Sequence, residues 1–83
     1  MTERNVKIES KVGLHARPAA LFVQAAAKAD GDVTVGKRGG APVNAKSILA
    51  VLGLDARHGE EVVISASDEA LLDELEALLA QDA

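Results

Sequence analysis

Residues 13–20 read Gly13-Leu14-His15-Ala16-Arg17-Pro18-Ala19-Ala20, with an imidazole, a guanidinium and a proline inside four positions. They fall where an alternating, strand-like segment gives way to an alanine-rich one. If a helix starts at about Ala16, its first backbone N–H groups lack carbonyl partners and point back past residue 15. A helix start also carries roughly half a positive charge, so an anion is stabilised there. Pro18 suits this place, because the first helical turn does not need a proline N–H. Arg17 adds a planar cation that can hold two phosphoryl oxygens through parallel hydrogen bonds. An unprotonated ring nitrogen of His15 is a nucleophile, and the positive helix end disfavours the protonated ring. The chemistry this grouping can do is acceptance of a phosphoryl group, with His15 as acceptor and Ala16 and Arg17 as phosphate-binding residues.

The elements that must position these side chains are readable from periodicity. Val6, Ile8 and Ser10 alternate with polar residues, which predicts a half-buried strand over about Arg4 to Ser10. Lys11 to Leu14 is a loop turned by Gly13. From Ala16 to Ala29 a helix is expected with Ala19, Phe22, Val23 and Ala26 on one face, closed by Asp30-Gly31 with Gly31 as its left-handed residue. Asp32 to Gly36 and Ala41 to Asn44 are short strands joined by a Lys37-Arg38-Gly39-Gly40 hairpin, and Pro42 marks the second as an edge strand. Ser47 is an N-cap candidate for a short helix ending at about Gly53, with Asp55 to Gly59 a loop. Val62, Val63 and Ile64 in Glu61 to Ala66 predict a well-buried strand. Ser67-Asp68-Glu69 opens a last helix whose Leu71, Leu72, Leu75, Leu78 and Leu79 share a face. The order is βαββαβα, and an α+β fold with helices gathered on one face of the sheet is the economical packing.

Composition narrows the function classes. Eighty-three residues without cysteine make one small domain, residues 1–83, that must rely on its apolar core. A reducing, cytoplasmic setting is expected, since the N-terminus lacks a signal-peptide core and no apolar run approaches the ~20 residues that span a bilayer. A net charge of −4 and a single aromatic residue argue against nucleic-acid binding. His15 and His58, with no cysteine, form no recognisable metal site. His58 reads as a solvated loop residue. There is no Gly-rich phosphate loop followed by Lys-Ser or Lys-Thr, and no cofactor is implied.

The run from Gly13 to Ala20 resembles the phosphorylation-site motif of the HPr family, the histidine-containing phosphocarriers of the bacterial phosphoenolpyruvate-dependent sugar phosphotransferase system. A second stretch, Asn44-Ala45-Lys46-Ser47-Ile48-Leu49-Ala50-Val51-Leu52-Gly53-Leu54, is similar to that family's second motif. The resemblance implies an open-faced β-sandwich, a four-stranded antiparallel sheet with three helices on one face. It also implies phosphorylation of His15 on the ring nitrogen next to Cβ, by phosphorylated enzyme I, with transfer to sugar-specific IIA proteins or domains. The carrier is then not an enzyme in its own right, and is expected to be a monomer that binds no membrane.

Ser47 has two readings. Its hydroxyl serves as a helix cap, and in some members of the family the matching serine is phosphorylated by a dedicated HPr serine kinase, which changes the choice of partner, transcription regulators included. Ile48, Leu49 and Leu52 are expected to face outward while Val51 and Leu54 face in. With Ala20, Leu21 and Gln24 they would form an apolar docking patch beside His15. Two departures from the family stand out, a hairpin at residues 37–42 that is about one residue longer and Asp55 after Leu54. The other readings are a regulatory module acting through Ser47 and docking, and a carrier in the nitrogen-related or dihydroxyacetone branch. Regulatory relatives typically lack the active histidine, which this chain has.

Overall fold

The computed structural model describes residues 2–80. Its elements are β1 (Thr2–Lys7), α1 (Ala16–Ala26), β2 (Thr34–Lys37), β3 (Val43–Asn44), α2 (Ile48–Gly53), β4 (Glu61–Ala66) and α3 (Glu69–Ala80). The strands form one sheet in the order β1-β4-β2-β3, and every neighbouring pair is antiparallel. This is the α+β architecture and element order expected from the sequence.

Register follows from which side chains must be dry. Val6 lies opposite Val62, and Val35 lies opposite Ile64, so alternate positions of β1, β2 and β4 face the helices. Phe22 and Ala26 of α1, Val51 of α2, and Leu72 and Leu75 of α3 are fully buried against that face. Val63, expected deep in the core, is only half-buried, because it belongs to the alternate positions with Asn5 and Ser65 on the open side of the sheet. Arg4 sits on the helix side, held by Asp73 and by Glu76 at 3.1 Å. The short β3 is an edge strand immediately after Pro42, where a missing N–H costs no ladder bond.

Several boundaries differ from expectation. β1 ends at Lys7, although the Ile8 N–H still donates to the Glu60 carbonyl at 2.9 Å. Helix α1 stops at Ala26; the Ala27 N–H still bonds four residues back, to Val23, but those of Lys28 and Ala29 bond only three residues back. Gly31 does not take a positive φ; the glycines that do are Gly13, Gly39 and Gly59. The turn that follows α1 is instead secured from outside, by the Lys46 ammonium donating to the Ala29 carbonyl at 2.8 Å. Asp68 caps α3, its Oδ1 accepting the Ala70 N–H at 2.9 Å.

Candidate functional site

The loop before α1 is held by a close approach of backbones. Gly13 adopts φ 76°, and a Cβ there would stand 2.7 Å from the Ala56 carbonyl oxygen and 3.0 Å from Arg57 Cα. Only glycine lets this loop lie on residues 56–58. Leu14, buried, completes the anchor by donating its N–H to the Ala56 carbonyl at 2.8 Å.

His15 is therefore delivered to the N-cap of α1 from a fixed loop. Its backbone is extended, with φ −97° and ψ −175°, and its carbonyl accepts the Ala19 N–H at 3.0 Å. The imidazole makes no capping hydrogen bond and is half-buried. The N–H groups of Ala16 and Arg17 have no intrahelical carbonyl, and Pro18 has no N–H to satisfy. Arg17 is exposed and pairs with no carboxylate among the described residues, whereas Arg4, Lys28, Lys37, Arg38 and Arg57 all do. Among the described residues, the geometry thus places an imidazole, two N–H groups and a guanidinium without partners at one helix end.

The second motif turns out to be scaffolding in large part. Asn44 accepts the Lys46 N–H on its Oδ1 at 3.0 Å, Ala45 is fully buried, and Lys46 ties the turn after α1. Ser47 caps α2, its hydroxyl oxygen accepting the Ala50 N–H at 3.3 Å. Helices α1 and α2 pack together and present Leu21, Ile48 and Leu49 to solvent, Leu49 being 80% exposed. Gln24 is exposed and Ala20 is half-buried. Leu52, expected to face outward, is half-buried and packs on the core; Val51 is fully buried and Leu54 half-buried. A six-residue helix spans less than two turns, so its inward arc draws in Leu52 as well.

Two features near His15 were not placed there by the sequence. Val12 is 69% exposed three residues before it. The loop of Asp55, Arg57 and His58 backs onto Gly13, a neighbourhood that only the fold creates. A cleft of about 230 Å³ is lined by the loop after α1, the end of β4 and the start of α3, and includes neither His15 nor Arg17. No cluster of three metal-ligating side chains is present among the described residues, and no helix among them is long and apolar enough to cross a membrane.

The comparisons with known proteins agree with this geometry. The family model described as PTS HPr component phosphorylation site matches residues 2–81. The phosphocarrier protein HPr of Streptomyces coelicolor is 52% identical, over 98% of this chain and 90% of that protein. Among solved structures, HPr from Thermoanaerobacter tengcongensis superposes with a TM-score of 0.80 at 39% identity, covering 100% of both chains. Crh of Bacillus subtilis, described as a catabolite repression protein that forms a domain-swapped dimer, gives 0.68 at 39% identity over 95% of this chain and 93% of that one. A match along nearly the whole length, with the site loop and the scaffold motif both in place, means that this chain belongs to the HPr family of phosphotransferase-system phosphocarriers.

Proposed function

We propose that this chain accepts a phosphoryl group on Nδ1 of His15 from phosphorylated enzyme I and passes it to IIA proteins or domains, so coupling sugar uptake to sugar phosphorylation. The observation that carries the reading is the N-cap of α1: an imidazole free of capping duty beside an exposed guanidinium that pairs with no carboxylate among the described residues. Nucleophilic attack by the ring nitrogen makes a P–N bond as the donor's bond breaks. Ala16 and Arg17 N–H groups then meet the oxygens, and the Arg17 fork holds two of them. Partners approach over Leu21, Ile48 and Leu49, with Ala20 and Gln24 at the side and Leu52 beneath. The protein works as one domain in the cytoplasm, as a monomer, although the Crh relative swaps elements to dimerise.

Ser47 supports a second, regulatory role. Its half-buried hydroxyl already caps α2, and a phosphate there would put about two negative charges at the edge of the docking surface. A serine kinase, and regulators that read the modified serine, are the partners of this reading.

The test is intact mass after incubation with phosphoenolpyruvate and a bacterial enzyme I. One acid-labile phosphate, absent in His15→Ala, is expected. Phosphate that survives acid, or that persists in His15→Ala, contradicts the assignment.

A further inference from the structure

Arg57 and Asp55 form an ion pair that stability does not explain. Arg57 Nε and Nη2 lie 3.3 Å and 3.1 Å from Asp55 Oδ2. Both side chains are more than two-thirds exposed, at 76% and 71%, and such pairs contribute little in water. Asp55 is moreover the one non-glycine residue with positive φ among the described residues, at 51°, a conformation that glycine adopts with less strain. A carboxylate at this place is also unfavourable for a site that takes an anion.

The position of the pair supplies a different reason for it. Arg57 Cα would lie 3.0 Å from a Cβ on Gly13, and the His15 N–H turns back to the Gly13 carbonyl at 3.1 Å. Two trans peptides keep His15 and Gly13 within about 7.6 Å, Cα to Cα. The stem of an arginine rooted against Gly13 is long enough to bring its guanidinium to a group carried on the ring. A phosphoryl group brings roughly two negative charges, and Arg17 supplies one cation.

We propose that Arg57 is a second cation for the phosphoryl group on His15, held by Asp55 while the ring is bare. The inference rests on phosphorylation of His15 as proposed above. When the phosphoryl group arrives, its oxygens compete with the Asp55 carboxylate for the guanidinium, with no covalent change at either residue.

Phosphoramidate tests this without any docking partner. It is a small donor whose P–N bond breaks as the bond to imidazole forms, with ammonia leaving. The readout is the pH titration of the phosphohistidine phosphorus resonance in the wild type, Arg57→Gln, Asp55→Asn and the double variant. Glu9, Lys11, Arg17, His58 and Glu60, the other charged or titratable groups of the adjoining segments, are the same in all four. A cation on the phosphoryl oxygens favours the dianion. Arg57→Gln therefore moves the midpoint up by a few tenths of a pH unit and Asp55→Asn moves it down. The double variant stays above the wild type.

An unchanged midpoint in Arg57→Gln overturns the proposal. So does a double variant that titrates like the wild type, which would mean that the two charges merely cancel. If phosphoramidate labels His15 while enzyme I does not, the carrier reading fails and the role of Arg57 is still decided by these midpoints. If neither labels His15, both fall.

Discussion

His15, Arg17 and Asp55 each show how one side chain's surroundings decide its part. The His15 ring makes no capping hydrogen bond, unlike Ser47 and Asp68 at the other helix starts, whose oxygens are committed to backbone N–H groups. Arg17→Lys keeps the charge but loses the planar fork, so phosphoryl transfer should slow about tenfold, the equivalent of one charge-assisted hydrogen bond. Rapid-quench kinetics would show this, and wild-type rates would dismiss the two-oxygen clamp. Asp55→Gly should raise the melting temperature by about 2–4 °C, because relief of a left-handed backbone outweighs an exposed ion pair. The types and spacing of Gly13, His15, Arg17 and Pro18 made this site legible in the sequence, since each property is local. Asp55 was visible as an odd acid after Leu54, but its link to the site runs through Gly13 and Ala56, forty-three residues apart in the chain. Local pattern carries no record of such a contact.

At the scale of elements, starts were easier to read than ends. Ala16 as the first residue of α1 and Glu61–Ala66 as β4 follow from a proline at the first turn and a β-branched run. The end of α1 did not follow, because the alanine run through Ala29 contains no stop and the turn after the helix is tied by Lys46, from the loop between β3 and α2. Ser47→Ala should cost about 1 kcal/mol, measurable by urea denaturation, since a helix of less than two turns has few other bonds to hold its first turn. The loop leading into β4 is fastened by Glu60, whose Oε1 accepts the Arg57 N–H at 2.7 Å and faces Lys37 at 3.4 Å. The Arg57 N–H, helped by Lys37, holds that carboxyl below the usual glutamate value. A lowered carboxyl stabilises the fold above its unfolded value of about 4.3 and loses that contribution as pH falls through the folded value. The stability difference between the wild type and Glu60→Gln should accordingly be largest near neutral pH and vanish in acid.

On the scale of the whole molecule, a chain of this length has only about 4–12 kcal/mol of net stability, with no disulfide to add to it. Phe22, the one aromatic residue, is fully buried where α1 meets the core. Phe22→Ala should remove about 3–5 kcal/mol, enough to leave a large unfolded fraction at 37 °C if the starting value is near the lower bound; denaturant titration measures it. The layered βαββαβα plan was legible because each element carries its own period. The two faces of the sheet were not, because the run Val62-Val63-Ile64 looks uniformly apolar and only the strand pairing assigns Val63 to the open side. What this plan achieves is a platform with the His15 imidazole at one helix end and apolar side chains on the helices next to it. The cleft of about 230 Å³ lies elsewhere, against the loop after α1. The most direct measurement starts from the phosphorylated chain, freed of phosphoenolpyruvate and enzyme I and mixed with an unphosphorylated IIA protein. The account predicts that phosphate leaves His15 and appears on the IIA protein in equal amount; phosphate that stays on this chain, or is released only as inorganic phosphate, would contradict it.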